Sequence, residues 1–160
     1  MHKEKTIKTN REKFGVDFIS QDPTRRRAFQ KRYTYKNINF DSIPEIALYI
    51  WLEDHKIPFE YQPNIKFEYK INGQICHYEP DFLIEGQVIE IKGDHFFKDR
   101  NPTKEMINPF KDVQDGYAEL KHQCMLRNNV KILTSKDYKK YIDYVKATYG
   151  KDFLCSLKNK

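Results

Sequence analysis

Between residues 43 and 52, apolar side chains recur on two sides of a helical wheel. Ile43, Ile46, Ala47 and Ile50 share one face, and Leu48 and Leu52 share the opposite one. A helix that is apolar on both faces is buried on both, as between a sheet and a further layer. Ser42 and Glu45 have the spacing of a capping box, with Pro44 in the first turn, so a helix is expected from there through Trp51 to about His55. The stretch from Phe59 to Ile71 is rich in aromatic and β-branched residues, is interrupted at Pro63-Asn64, and ends at Asn72-Gly73. It predicts a strand pair, or one bent strand, before a tight turn.

Two more strands are expected, Tyr78 to Ile84 and Gln87 to Lys92, joined through Glu85-Gly86. After Gly93 an irregular stretch runs from Asp94 to Gln114 and contains Pro102 and Pro109, a length that suits a functional loop. A helix over about Asp115 to Arg127 follows, then a short strand from Val130 to Thr134. A last helix, capped by Ser135, ends at Gly150. The order helix, three strands, helix, strand, helix predicts an α/β (α+β) domain with a mixed central sheet and helices on both faces.

Upstream of Phe40 the pattern differs. Residues 3 to about 36 read as short helical pieces, the first polar almost all round and marginal alone. Thr24 can cap a second, basic helix carrying Arg25, Arg26, Arg27, Lys31 and Arg32. The division expected is therefore a basic arm over residues 1–40 and a folded domain over residues 41–160.

Charge sharpens that division. The net charge is +6, yet residues 1 to 40 hold eleven Lys or Arg against four Asp or Glu, so the remaining 120 residues are near neutral. A basic arm on a neutral domain points to a polyanionic partner, with a solubilising tail as the plain alternative. Phe29 and Tyr33, interleaved with the arginines, suit stacking beside phosphate contacts. Length allows one core plus an appendage, and 14% aromatic residues exclude disorder of the whole chain. No apolar run approaches the roughly 18 residues of a spanning helix, and the Lys-rich N-terminus lacks a signal peptide's apolar segment. Cys76, Cys124 and Cys155 are odd in number and far apart, which suggests reduced thiols in an intracellular protein.

The candidate chemistry lies in the paired strands. Alternation places Val88, Glu90 and Lys92 on one face, with Ile89 and Ile91 on the other. If Glu85 and Gly86 are the two turn residues, Asp81 stands opposite Glu90 with Cβ atoms about 4.5–5.5 Å apart. A three-residue loop would move Asp81 out of line, and Glu-Gly is a poorer two-residue turn than Asn-Gly. Two facing carboxylates repel unless something positive lies between them, and Mg²⁺, with Mn²⁺ as a substitute, suits such a pair. Lys92, one pleat further on, can polarise a water and offset charge on a phosphorane-like transition state. The plain alternative is a solvated hairpin face carrying ordinary charges.

Pro80-Asp81 followed by Glu90-Ile91-Lys92, with Phe40 to Leu48 upstream, resembles the signature of the PD-(D/E)xK, restriction-endonuclease-like nuclease superfamily. The resemblance runs from about Asp41 to about Thr134. It implies a metal held by Asp81, Glu90 and the Ile91 carbonyl, with Lys92 as the catalytic lysine and Glu45 as an accessory acid. Glu45 is equally the partner expected in the Ser42 capping box. Lys121 lies within a helical stripe of Tyr117, Leu120, Cys124 and Met125, where it could snorkel or reach the scissile phosphate. His95 could assist a water or phosphate, although a lone loop histidine is more often incidental.

The segment Thr9 to Asp17, followed by Ser20-Gln21, resembles a helical module that repeats ahead of nuclease domains in phage homing-type endonucleases. With one copy starting almost at Met1, the chain reads as the C-terminal piece of a longer protein, or as a minimal form. Double-stranded DNA is the expected partner, with a homodimer on DNA as one arrangement. A structure-specific nuclease and a catalytically idle DNA-binding module are the rivals.

Overall fold

Helix α1 (Ile43–Asp54) divides the apolar interior in two. On one side Ile46, Ala47 and Ile50 pack with Phe40, Val145 and Leu154. On the other, Leu48 and Leu52 pack with Phe82, Ile89, Ile91, Leu133 and Tyr138. The two-faced pattern in the sequence thus corresponds to a helix held between two clusters. The computed structural model describes residues 32–107 and 117–159.

The described chain enters through a hairpin, β1 (Tyr33–Tyr35) and β2 (Ile38–Phe40). Lys36 and Asn37 both take positive φ, the twist that a two-residue turn of this kind needs. Residues 33–36 are therefore strand and turn, not the tail of a basic helix. Phe40 is fully buried, and Tyr33 bridges to Lys158 near the other end of the chain. The packed unit accordingly includes residues 33–40, which the sequence pattern had assigned to the arm. The physical reason is the inward alternation of Ile38 and Phe40, which completes the cluster on the outer face of α1. The helical pieces expected before residue 32 lie outside the described residues.

The central sheet contains β3 (Phe59–Tyr61), β6 (Phe82–Ile84), β7 (Gln87–Ile91) and β8 (Lys131–Leu133), in the order β3-β6-β7-β8. The first three are antiparallel and β8 runs parallel to β7, so the sheet is mixed. A separate two-stranded ribbon, β4 (Phe67–Ile71) and β5 (Gln74–Tyr78), turns at Asn72-Gly73. Two expectations change here. The aromatic stretch from Phe59 to Ile71 is two strands in different sheets, and Tyr78 ends its own strand instead of opening β6. Pro80 cannot donate to a ladder and separates β5 from β6.

Helices cover both faces of the sheet. Ile89, Ile91 and Leu133 point toward α1 and toward α3 (Ser135–Tyr149), which contributes Tyr138. Val88 and Ile132 point the other way, toward the ribbon and toward α2 (Tyr117–Arg127), which contributes Cys124 and Met125. The fold is α+β. A short α4 (Phe153–Ser156) inserts Leu154 beside α1. The N-cap of α3 is Thr134, whose capping box with Asp137 displaces the expected Ser135 into the first turn. Gly150 ends α3 with φ +119, a conformation that side chains resist. Cys76, Cys124 and Cys155 are free thiols, and among the described residues no helix is long and apolar enough to cross a membrane.

Phe40→Ala removes a fully buried ring from the cluster that joins the hairpin to α1. It should lower unfolding free energy by about 3–5 kcal/mol in urea titrations. A separate arm beginning before residue 41 would leave that value unchanged.

Candidate active site

The β6–β7 hairpin sets the geometry. Its register pairs Phe82 with Ile89, Leu83 with Val88 and Ile84 with Gln87, which leaves Glu85 and Gly86 as a two-residue turn. Both turn residues have positive φ, +48° and +83°, as a type I′ turn requires. Extended by one residue, this register sets Asp81 against Glu90. Asp81 sits at a bend ahead of β6, where its N–H donates to the Ile89 carbonyl at 3.2 Å. Its Oδ2 accepts the Ile91 N–H at 2.8 Å, so the side chain takes over a backbone group of β7.

Glu90 and Lys92 are buried, at 5% and 6% exposure, although both are charged residue types that normally face water. Each oxygen of Glu90 is engaged. Oε1 lies 3.1 Å from Lys92 Nζ, and Oε2 accepts from the Tyr78 hydroxyl at 2.6 Å. Lys92 Nζ also stands 4.5 Å from the centroid of the Phe96 ring. Glu45, at the start of α1, is likewise buried. Its Oε2 accepts from the Tyr61 hydroxyl at 2.8 Å and from the Asp41 N–H at 3.4 Å.

Glu45 therefore does not complete the capping box. Ser42 occupies the N-cap position, but no side-chain capping hydrogen bond forms there. The phenol of Tyr61 offers a stronger donor, and the carboxylate turns inward to meet it.

The electrostatics follow from crowding acids in a buried place. Burial, then the charges of Glu90 and Glu45, raise the Asp81 carboxyl well above its ordinary value, against the pull of the Ile91 N–H and Lys92. Glu45 is pushed up to about 7, first by burial and then by Asp41, with the Tyr61 hydrogen bond opposing and Glu90 adding. Burial and the adjoining carboxylates also raise the Tyr61 and Tyr78 hydroxyls, which therefore remain donors.

The loop after Lys92 folds back on the site. Asp94 accepts the Ser135 hydroxyl at 2.8 and 3.1 Å, tying the loop to α3. A Cβ on Gly93 would meet the His95 ring at 2.7 Å, so glycine permits the approach. His95 is exposed, and burial followed by the charges of Arg100, Lys92 and Arg32 lowers its pKa. Arg32 is thus within electrostatic range of the loop.

The structure brings Glu45, Asp81, Glu90 and Lys92 together and leaves Lys121 at the margin, its Nζ 5.7 Å from the Tyr78 ring centroid. Arg25, Arg26, Arg27 and Lys31 lie outside the described residues, as does the loop over 108–116. Sequence reasoning missed Tyr61 and Tyr78, the donors to Glu45 and Glu90. The pairing of Tyr61 with Phe82 places it next to Asp81, but the Pro63-Asn64 break hid that register. It also passed over His122, whose Nδ1 is buried without a hydrogen-bond partner.

Among the described residues no three His, Cys, Asp or Glu side chains form a ready metal cluster. The candidate donors the structure brings together here are instead the carboxylates of Asp81 and Glu90. They fit a hard divalent ion, because Asp81 is destabilised by the neighbouring acids and carboxylate oxygens engaged once retain acceptor capacity. The chain matches no family model, no curated protein and no solved structure.

The raised Glu45 pKa has a direct thermodynamic consequence. Folded protein binds the proton more tightly than unfolded protein, so stability is fullest below the unfolded value near 4.5 and declines as pH rises through about 7. Glu45→Gln should flatten that decline, stabilise metal-free protein at pH 8 by on the order of 3 kcal/mol and raise its melting temperature there. Thermal melts across pH 4 to 9 measure it, and parallel curves for the two proteins would contradict it.

Proposed function

We propose that this chain is a Mg²⁺-dependent endonuclease that hydrolyses phosphodiester bonds in double-stranded DNA. The observation that carries the reading is one cluster at the β6–β7 hairpin: a half-buried Asp81 set against a buried Glu90, with buried Lys92 3.1 Å from the Glu90 carboxylate. An ordinary solvated hairpin face would leave these groups exposed, and burying Glu90 and Lys92 beside a half-buried Asp81 is costly without a function that needs them. The reading also agrees with the PD-(D/E)xK resemblance of Pro80-Asp81 and Glu90-Ile91-Lys92.

Asp81, Glu90 and the Ile91 carbonyl would hold the ion, and Mn²⁺ would replace it. When bound, the ion supplies Lewis-acid polarisation of the phosphate and acidifies a water at neutral pH. Lys92, tethered through Nζ to Glu90 Oε1, holds the attacking water and offsets charge gathering on the phosphate. Glu45, with a pKa of about 7, is suited to take up a proton released nearby. Arg100 and Arg32 add positive character on the loop side, where a phosphate backbone would approach. The basic residues Arg25, Arg26, Arg27 and Lys31 supply further phosphate contacts in this reading. The favoured setting is a phage or mobile-element homing-type endonuclease working inside a cell, with two copies meeting on DNA for double-strand cutting.

Supercoiled plasmid with Mg²⁺ or Mn²⁺ should be nicked or linearised, and chelation should stop the reaction. Lys92→Ala and Glu90→Ala should lower the rate at least ~100-fold while DNA binding persists. Binding without cleavage by the unaltered protein would favour an idle DNA-binding module, and cleavage confined to branched DNA would favour a structure-specific nuclease.

DNA affinity should fall as salt rises, and Arg32→Ala should weaken binding evenly across sequences while reducing the log–log salt slope by about 1. Titrations from 50 to 200 mM salt test this. An unchanged slope would remove Arg32 from the phosphate contacts.

A further inference from the structure

The geometry points to Tyr78 as a positioning residue that aims the Glu90 carboxylate at the metal position. The inference rests on the metal-site reading above and concerns how one of its ligands is held.

Glu90 reaches the site from β7 on a side chain with three rotatable bonds, so strand geometry alone does not fix where its oxygens point. Two contacts fix them. Lys92 directly follows the same strand and holds Oε1, while Tyr78 holds Oε2 from outside the central sheet. Of the two, Tyr78 is the more rigid. Lys92 is a flexible chain ending in a rotating ammonium. Tyr78 is 1% exposed, stacks on Phe67 at 6.0 Å with planes 19° apart, and packs in the cluster of Tyr69, Ile71, Cys124 and Met125. Its phenol oxygen therefore has almost no freedom, and a 2.6 Å hydrogen bond transfers that fixity to the carboxylate.

The placement also explains why the ribbon packs where it does. Strand β5 contributes nothing to the central ladder, yet its last residue touches the candidate ligand on β7. Lys121 belongs to the same assembly, with its ammonium 5.7 Å from the Tyr78 ring centroid.

The test uses the full chain and Tyr78→Phe, which keeps the ring and removes the donor. Mn²⁺ binding is measured by calorimetry without DNA, and Mg²⁺ half-saturation is measured from plasmid nicking. Loss of a group that orients a metal ligand typically costs 10–100-fold in metal affinity or activity, and a rise of about that size is expected in both measurements. DNA affinity in Ca²⁺ should stay within about two-fold, since Tyr78 is buried away from any DNA. In the Glu90→Gln background the same tyrosine substitution should add less than about two-fold, because its effect runs through the carboxylate.

Mn²⁺ affinity equal to that of the unaltered protein would overturn the assignment, as would effects that multiply fully with Glu90→Gln. Should Tyr78→Phe not fold, 4-fluorophenylalanine at position 78 fills the space of the hydroxyl without a donor, and unchanged Mn²⁺ affinity there would overturn it too. An unaltered protein that binds no Mn²⁺ and cuts no DNA would instead sink the nuclease reading and this inference with it.

Discussion

The candidate site depends on a two-residue turn. Glu85 and Gly86 both adopt positive φ, and that choice fixes which residue of β6 faces which residue of β7. Because side chains alternate at every residue, one extra residue in the turn would send Asp81 to the opposite face from Glu90. Glycine takes its conformation freely, whereas glutamate is held there against its own preference. The hairpin tolerates this because β7 is pinned on its other side by parallel pairing with β8, and β6 by pairing with β3.

Around that hairpin the protein collects negative charge and then restrains it. Three carboxylates influence one another across the site, and the described restraints on them come from several parts of the fold: the lysine that follows β7, a phenol on β3, a phenol on β5, and backbone N–H groups of β7 and of the segment before α1. Such an arrangement is unfavourable for the isolated fold, since each acid is removed from water beside others of like sign. It agrees with the proposal that a divalent ion binds there. The surrounding aromatic packing of Tyr78 and Tyr61 makes the restraints stiff.

The core of this picture was legible in the chain because it is local. Alternation in Val88 to Lys92, the Pro80-Asp81 step and the short turn sufficed to pair the acids, and the two faces of α1 announced both apolar clusters. Nonlocal features were not legible. Nothing near Glu45 signals that its partner is Tyr61, sixteen residues away, rather than Ser42. The three-residue strands β1 and β2 sit beside a run of basic residues and carry too few apolar positions to establish a period, so their place in the core emerged only from packing. Strands β4 and β5 look like part of the main sheet in sequence because separation of a ribbon from a sheet leaves no mark on alternation.

The anchoring of Arg32 sets a leash. Its N–H donates to Phe40 and its carbonyl accepts from Asn159, so this end of the basic segment is tied to the folded body. Arg25 stands seven residues earlier, and a chain stretched to its limit spans roughly 24 Å over that distance. Along one strand of a duplex that is about seven phosphates. Under the proposed DNA contact, the Arg25 backbone can lie no farther than that from Arg32, so the footprint of Arg25–Arg32 would be limited by tether length as well as by charge.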